Sequence, residues 1–357
     1  MENNNKPRLF GIMHSNRNFE QKETWGKNQF NSSFPASLSV YMHGLGMENI
    51  YLKLNKELEV FHSKISTNDL YGIDCMSDNI FFSFESVYSP YQQILIGDTP
   101  RVDLVIQDRR TSSIIKGIEI KLTALPDNTT CEFSHKNFGS EIVIRPDTIV
   151  YLACSIALLY KDNIVDMQRF FDKDFDKITE WSNAESVLPY IKQMAKTIDE
   201  ICMANIENQE PIVMQPIWKT EGKAPILSDH CLDIFIWSNL AFIQLFTEEV
   251  RKERDVAKIS RQARTLIWLF KMLFDFCHKG QFDHKAIIDE LSYNTKNDKA
   301  FAVSGAVTHP FMKSNELACP RITRNDVRNI ILGGGQNLLS PERRFDAIIY
   351  NSPDLFK

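Results

Sequence analysis

Two short apolar segments joined by a polar connection constrain the fold more than any other part of this sequence. Val102–Gln107 is almost continuously apolar, and Ile114–Leu122 alternates between apolar and polar residues. Both patterns are typical of β-strands. The intervening stretch, Asp108–Ser113, has the length and polarity of a hairpin connection. Because a third apolar segment, Ile80–Phe84, precedes them, the middle of the chain is predicted to hold three successive strands.

Charged side chains interrupt these apolar strands at a few positions. Asp103 lies near the start of one strand, and Glu119 and Lys121 lie two residues apart in the next. Since residues i and i+2 of a strand project from the same face, Glu119 and Lys121 point together, and the hairpin brings Asp103 alongside them. The neighbouring residues are apolar, so these charges emerge from buried strands. A further acid, Glu85, ends the preceding strand and is predicted to lie near the site, as an outer support or at a second metal.

This set of groups suits the hydrolysis of phosphodiesters. Asp103 and Glu119 are candidate ligands of Mg²⁺, which binds one or two carboxylates and keeps several waters. Such an ion polarises a phosphate and lowers the pKa of a bound water. Lys121 is the candidate for orienting or deprotonating that water, or for neutralising charge on the phosphorane. The spacing D-x15-E-x-K is the signature of PD-(D/E)xK nucleases. A lone D…E-x-K also arises by chance, and Glu–Lys pairs are common on exposed strands.

Helical patterns flank the strand-rich middle of the chain. Helices are predicted over residues 34–46, 148–161, most of 162–206 and Thr247–Cys277. Asp147 and Thr148 are the N-cap candidates for the second of these helices. Pro211–Trp218 is predicted to be extended, and Phe345–Tyr350 to be a strand. The predicted fold class is therefore α+β (α/β), with a mixed central sheet flanked by helices and an additional helical region.

Composition narrows the class of protein. The chain has 357 residues, of which 43% are hydrophobic and 24% charged, as in soluble globular proteins. Its N-terminus is polar, and its longest apolar run is shorter than the ~20 residues of a membrane span, so a cytoplasmic enzyme is expected. With 41 Lys and Arg against 46 Asp and Glu, the formal charge is -5. That balance argues against a protein that coats nucleic acid, but it permits a DNA enzyme with a locally positive cleft.

Five stretches of the sequence carry a further signal. They are WGKNQFNSSFPASL (25–38), PRVDLVIQDR (100–109), GIEIKLTALPDNTTC (117–131), SEIVIRPDTIVYLACSIA (140–157) and QPIWKTEGKAPILSDHCLDIFIWSNLAF (215–242). In these stretches the chain resembles the HindVP/HgiDI family of type II restriction endonucleases, with no departure at Asp103, Glu119 or Lys121. The resemblance implies a PD-(D/E)xK core, Mg²⁺ dependence and cleavage of double-stranded DNA at 5′-GRCGYC-3′. It also implies a functional link to a cognate DNA methyltransferase.

The predicted organisation has three parts. They are an N-terminal segment with a DNA-recognition role (1–75), the nuclease core (76–245) and a mainly helical region that contacts a second subunit or DNA (246–357). Segment 14–33 is rich in the Asn, Arg, Lys and Gln side chains that bind base edges, among them Lys27 and Asn28. The same residue types are common in surface loops. A palindromic target is most simply bound by a two-fold symmetric protein, so a homodimer is predicted.

Basic side chains elsewhere are further candidates for DNA contacts. Lys219 and Lys223 could bind phosphates or belong to an ordinary basic loop, and the sequence favours neither. Arg109, on the predicted hairpin, could reach DNA, although a role in the turn is favoured.

Two other functions of the protein stay open: a non-cutting DNA-binding protein on the same fold, and a nuclease of DNA repair or junction resolution.

Overall fold

The computed structural model describes residues 11–12, 14–16, 27–126, 142–171, 173–221, 226–252, 258–293, 300–303 and 319–333. The strands are β1 (Asn49–Leu54), β2 (Val60–Ile65), β3 (Ile80–Val87), β4 (Arg101–Asp108), β5 (Ser113–Ile120), β6 (Thr123–Pro126), β7 (Ile142–Ile144), β8 (Pro211–Glu221), β9 (Ile226–Ser238), β10 (Phe301–Val303) and β11 (Ile322–Thr323). The α-helices are α1 (Lys27–Gly44), α2 (Thr67–Tyr71), α3 (Pro146–Leu159), α4 (Ile164–Gln168), α5 (Ala184–Val187), α6 (Ile191–Ala204), α7 (Asn239–Lys252), α8 (Arg261–Lys279), α9 (His284–Glu290) and α10 (Arg324–Gly333).

A mixed sheet forms the centre of the described chain. Its strands follow the order β2-β1-β9-β8-β5-β4-β3, while β6 also pairs with β8 and β11 with β9. The three predicted middle strands form the antiparallel meander β3–β4–β5. After the helical region α3–α6, strand β8 returns parallel to β5. The predicted fold class, a mixed central sheet flanked by helices, is confirmed.

Helices cover both faces of the sheet, which explains why the central strands are apolar at almost every position. Val105 on β4 packs into the core formed with α3, α6, α7 and α8. Its neighbours Leu104 and Ile106 point to the opposite core, to which α1, α2 and α10 contribute. A strand buried on both faces needs apolar side chains in both directions. The continuous run at Val102–Gln107 is therefore the sequence signature of a central strand.

Helix α3 begins two residues earlier than predicted. Arg145 is the N-cap residue, with an extended backbone, and Pro146 occupies the first turn. Proline is well placed there because the first N–H groups of a helix have no partner within the helix. The predicted N-caps, Asp147 and Thr148, are therefore wrong, since both lie within the first turn.

The single long helix predicted over Thr247–Cys277 is also wrong. Two helices, α7 and α8, occupy this region, and α7 starts before it. The Ser260 hydroxyl accepts a hydrogen bond from the Ala263 N–H at 3.0 Å and so caps the start of α8.

The hairpin β1–β2 was absent from the predicted elements, although it extends the same sheet. Strand β1 pairs in parallel with β9, so residues before position 76 contribute to the sheet that holds the predicted core. The division of the chain at residues 75 and 245 stays a prediction. The strand predicted at Phe345–Tyr350 lies outside the described residues. Within the described part of the chain, no helix has the length and apolarity needed to cross a membrane.

Candidate active site

Three acidic residues lie side by side on the three strands of the meander. Leu104 on β4 pairs with Ile118 on β5, so one further step in the same register places Asp103 opposite Glu119. On the other side of β4, the register passes from Phe84 opposite Leu104 to Ser86 opposite Val102. Glu85 lies between those two positions and is therefore opposite Asp103.

Asp103 occupies an environment that disfavours its charged form. Burial raises its pKa to about 7, and the neighbouring charge of Glu119 adds to the increase, as does that of Glu85. The charge of Lys121 and a backbone hydrogen bond oppose this rise. In that bond the Ile120 N–H donates to Asp103 Oδ2 at 2.7 Å. The carboxyl group is thus held in a fixed orientation, in a place where burial and the neighbouring acids favour its protonated form.

Glu119 and Lys121 form a largely buried ion pair. The Lys121 ammonium donates to Glu119 Oε1, and the two side chains are 12% and 11% exposed. The backbone beneath them is fixed by β8, because the Lys121 N–H donates to the Met214 carbonyl at 2.9 Å. Burying charges costs free energy even when they are paired. A buried Glu–Lys pair is therefore more typical of an active site than of an exposed strand.

A buried polar network holds β6, β8 and β9 together next to this ion pair. The Gln215 side chain donates to the Thr123 hydroxyl at 2.9 Å and accepts from the Trp237 indole N–H at 2.7 Å. Gln215 follows Met214, the residue that accepts from Lys121. The sequence analysis did not identify Gln215, and an isolated glutamine in an apolar strand was the only available signal.

Tyr151 on α3 is a second residue that the sequence analysis missed. Its hydroxyl donates to the carbonyl of Arg101, two residues before Asp103. Burial raises the pKa of Tyr151 well above its usual range, and the charges of Glu119, Asp147 and Asp103 raise it further. The hydroxyl therefore stays protonated beside the acids. A tyrosine in an otherwise apolar helix is a useful signal, because its buried hydroxyl needs a partner.

The donor set fits a hard divalent cation. Within the described residues, no group of three or more His, Cys, Asp or Glu side chains forms a ready metal site. Mg²⁺ does not require such a group, since it binds through one or two carboxylates and keeps its remaining waters. Asp103 and Glu119 supply two carboxylates on adjacent strands, and burial, followed by the charge of Glu119, raises the pKa of Asp103. A cation bound by the two carboxylates would stabilise their charged forms.

The candidate DNA contacts are dispersed in the structure. Arg109 donates from its backbone N–H to the Asn79 carbonyl at 2.7 Å and from Nη1 to the Asp78 carbonyl at 2.9 Å. It follows the last residue of β4, six residues after Asp103, a separation of about 20 Å in an extended chain. The turn role favoured for Arg109 therefore agrees with its contacts.

The other basic candidates are less fully described. Lys219 is half-buried on β8 and pairs with Leu125 of β6. Strand β6 follows Lys121 along the chain, whereas Glu119 precedes it. Lys223 lies outside the described residues. Lys27 and Asn28 occupy the first turn of α1, but their side chains are outside the described part of the structure. Their roles in DNA binding stay predictions.

Comparison with known proteins identifies the family of this chain. A family model for the HindVP restriction endonuclease matches residues 25–356. The type II restriction enzyme HgiDI of Herpetosiphon aurantiacus is 44% identical over 353 residues, covering 99% of this chain and 98% of that protein. The probable type II restriction enzyme HindVP of Haemophilus influenzae is 47% identical over 354 residues, covering 99% and 96%. No solved structure matches the chain. Matches of this extent show that the chain belongs to the HindVP restriction endonuclease family.

Proposed function

We propose that this protein is a type II restriction endonuclease that hydrolyses phosphodiester bonds in double-stranded DNA. The observation that carries the proposal is the adjacency of Asp103, Glu119 and Lys121 on neighbouring strands, where all three are largely buried. Family membership supports the same reaction, because both named relatives are described as type II restriction enzymes. A buried pair of carboxylates with a lysine has no evident use in a protein that only binds DNA.

Each group has a defined part in the proposed reaction. Asp103 and Glu119 would hold Mg²⁺, which when bound polarises the scissile phosphate and lowers the pKa of a coordinated water. The Ile120 N–H keeps the Asp103 carboxylate oriented toward Glu119. Lys121 lies within hydrogen-bond reach of Glu119 and can orient the attacking water or neutralise charge that develops on the phosphorane.

A type II restriction endonuclease cuts at a specific DNA sequence. We infer 5′-GRCGYC-3′ from the resemblance to the HindVP/HgiDI family. An endonuclease with this specificity would damage its own genome unless the sites were modified, so a cognate DNA methyltransferase is the expected functional partner. Both enzymes would act on DNA in the cytoplasm.

The palindromic target leads to a proposal about assembly. Two identical subunits, each with one active site, would cut one strand each. The mainly helical region after residue 245 is the proposed contact, and its helix α8 also packs into the same core as Val105 of β4. Sedimentation of the protein on a short duplex with one site tests this. Two subunits per duplex are expected, and one subunit that cuts both strands would refute the dimer.

Incubation of the purified chain with plasmid DNA and Mg²⁺ tests the main proposal and separates it from its alternatives. Discrete fragments with ends at GRCGYC sites are expected, and Asp103→Ala should produce none. Binding without cleavage would favour a DNA-binding protein. Nicking restricted to branched DNA would favour a repair or junction nuclease. Asp108→Ala is the matched control, because it removes an aspartate from the opposite end of β4.

A further inference from the structure

The outer edge of β3, beside the candidate active site, is covered by residues 14–16. The Phe82 N–H donates to the His14 carbonyl at 3.0 Å, and the Asn16 N–H donates to the Phe82 carbonyl at 3.1 Å. Ser15 lies opposite Phe82 as a parallel partner. This short segment therefore adds backbone pairing to the edge strand just before Glu85.

The side chain of Asn16 continues this pairing by one further residue. Its Oδ1 accepts from the Phe84 N–H at 2.9 Å, and its Nδ2 donates to the Phe84 carbonyl at 3.0 Å and to the Ser86 hydroxyl at 3.3 Å. A carboxamide has one acceptor oxygen and two N–H donors, so Asn16 can make all of these bonds at once. Segment 14–33 was predicted to bind base edges, but the Asn16 carboxamide is directed at the protein.

Glu85, between the two residues that Asn16 binds, has an unusual backbone. Its φ is 49°, in the left-handed region that residues other than glycine seldom adopt. Such a conformation costs free energy and persists where surrounding contacts impose it. It occurs at the position opposite Asp103, and the Glu85 charge acts on Asp103 in addition to burial and Glu119. The left-handed residue therefore lies directly beside Asp103 on the neighbouring strand.

We propose that Asn16 is a positioning residue that holds Glu85 in its left-handed conformation, with the Glu85 carboxylate directed at Asp103, for DNA cleavage. Asn16 does this by fixing both neighbours of Glu85 through one carboxamide. The inference rests on the proposed endonuclease function. It assigns a role in the reaction to a residue near the N-terminus that is far from the catalytic motif in sequence.

A double-mutant cycle tests whether Asn16 acts through Glu85. The rate of plasmid cleavage is measured with enzyme in excess, over a range of Mg²⁺ concentrations, for wild type, Asn16→Ala, Glu85→Gln and the double variant. Asn16→Ala should slow cleavage roughly 10- to 100-fold, the range found when groups that orient metal ligands are removed. It should also raise the Mg²⁺ concentration that gives half the maximal rate. The double variant should be no slower than Glu85→Gln, because the two changes remove one effect.

Asn55→Ala is the matched control. Asn55 Oδ1 accepts from the N–H groups of Glu57 at 3.0 Å and Glu59 at 2.8 Å in the β1–β2 turn, at the opposite edge of the sheet. Its removal should lower stability to urea by an amount similar to Asn16→Ala and leave the cleavage rate unchanged. If Asn16→Ala does not fold, Asn16→Asp replaces it in the cycle, because it keeps the acceptor for the Phe84 N–H.

Three results would overturn the inference. Wild-type cleavage by Asn16→Ala would show that the carboxamide does not matter to the reaction. An equal loss of rate from Asn16→Ala in the wild-type and Glu85→Gln backgrounds would show that Asn16 does not act through Glu85. Absence of cleavage by the wild type itself would overturn the proposed function, and this inference with it.

Discussion

The two ends of the β4–β5 pair contain the same kinds of charged residue in opposite environments. At one end, Asp103 lies opposite Glu119 in a buried setting, and burial together with the nearby carboxylate raises its pKa to about 7. At the other end, Asp108 is 18% exposed and accepts from the Arg110 N–H at 2.8 Å, an ordinary turn contact, and the Arg110 side chain is 72% exposed. Residue type therefore does not distinguish the two ends. The difference lies in burial and in which charges face one another.

This comparison is tested most strongly by removing charged groups at each end. Alanine at Asp103, Glu119 or Lys121 should reduce cleavage by more than about 10²-fold, as expected when a group that stabilises transition-state charge is lost. Alanine at Asp108 or Arg110 should leave cleavage close to that of the wild type. Plasmid cleavage at saturating Mg²⁺ measures both sets. Near-normal cutting by any of the first three variants would contradict the site assignment.

A second test uses the pH dependence of stability in metal-free buffer. The pKa of Asp103 is raised to about 7 in the folded chain, against about 3.9 in an unfolded chain. The folded state therefore binds more protons between these values, and its stability falls as pH rises from about 4 to about 7. Asp103→Asn removes this loss and should raise the free energy of unfolding at pH 8 by roughly 2–4 kcal/mol, with little change at pH 4.

Urea unfolding at a series of pH values measures this effect, with Asp108→Asn as the control for the exposed end. The control should keep the wild-type slope of stability against pH. If Asp103→Asn also kept that slope, the Asp103 carboxyl would be ionised in the folded protein, and the contrast between the two ends would be smaller than the structure indicates.

The third test concerns the contact between Tyr151 on α3 and the start of β4, next to Asp103. Tyr151→Phe removes the hydroxyl that donates to the Arg101 carbonyl at the start of β4. The loss of one hydrogen bond should lower stability by about 1 kcal/mol. Displacement of Asp103 should also slow cleavage by about tenfold, since removal of a group that orients a metal ligand commonly has an effect of this size. Cleavage kinetics and urea unfolding measure the two consequences.

Tyr293→Phe is the matched control for this variant. The Tyr293 hydroxyl donates to the Trp181 carbonyl at 2.9 Å, a similar bond in the helical region. It should lower stability by a comparable amount without slowing cleavage. Equal effects of the two variants on cleavage would mean that Tyr151 contributes only to stability.

The sequence predicted the parts of the fold that depend on local pattern. The strands of the meander and the face shared by Glu119 and Lys121 follow from apolar runs and the two-residue period of a strand. The hairpin β1–β2 was missed because its second strand is mostly exposed and carries little apolar signal. Contacts between distant segments left no such pattern. Neither Asn16 beside β3 nor Tyr151 beside Arg101 could be placed without the fold.

The smallest expected change in stability comes from replacing the residue with a left-handed backbone at each end of the β4–β5 pair by glycine. Glu85 beside the site has a φ of 49°, and Ser112 in the β4–β5 turn has a φ of 56°. Glycine at either position removes the left-handed penalty but adds entropy to the unfolded chain, so each change should stabilise the protein by about 0.5–1 kcal/mol.

Ser112→Gly should leave cleavage unchanged, because this residue is exposed and lies at the far end of the hairpin. Glu85→Gly should gain similar stability and lose cleavage, because it also removes the carboxylate opposite Asp103. Urea unfolding and plasmid cleavage of the two variants together measure this. A Glu85→Gly protein that cuts normally would show that the reaction does not need the Glu85 carboxylate opposite Asp103.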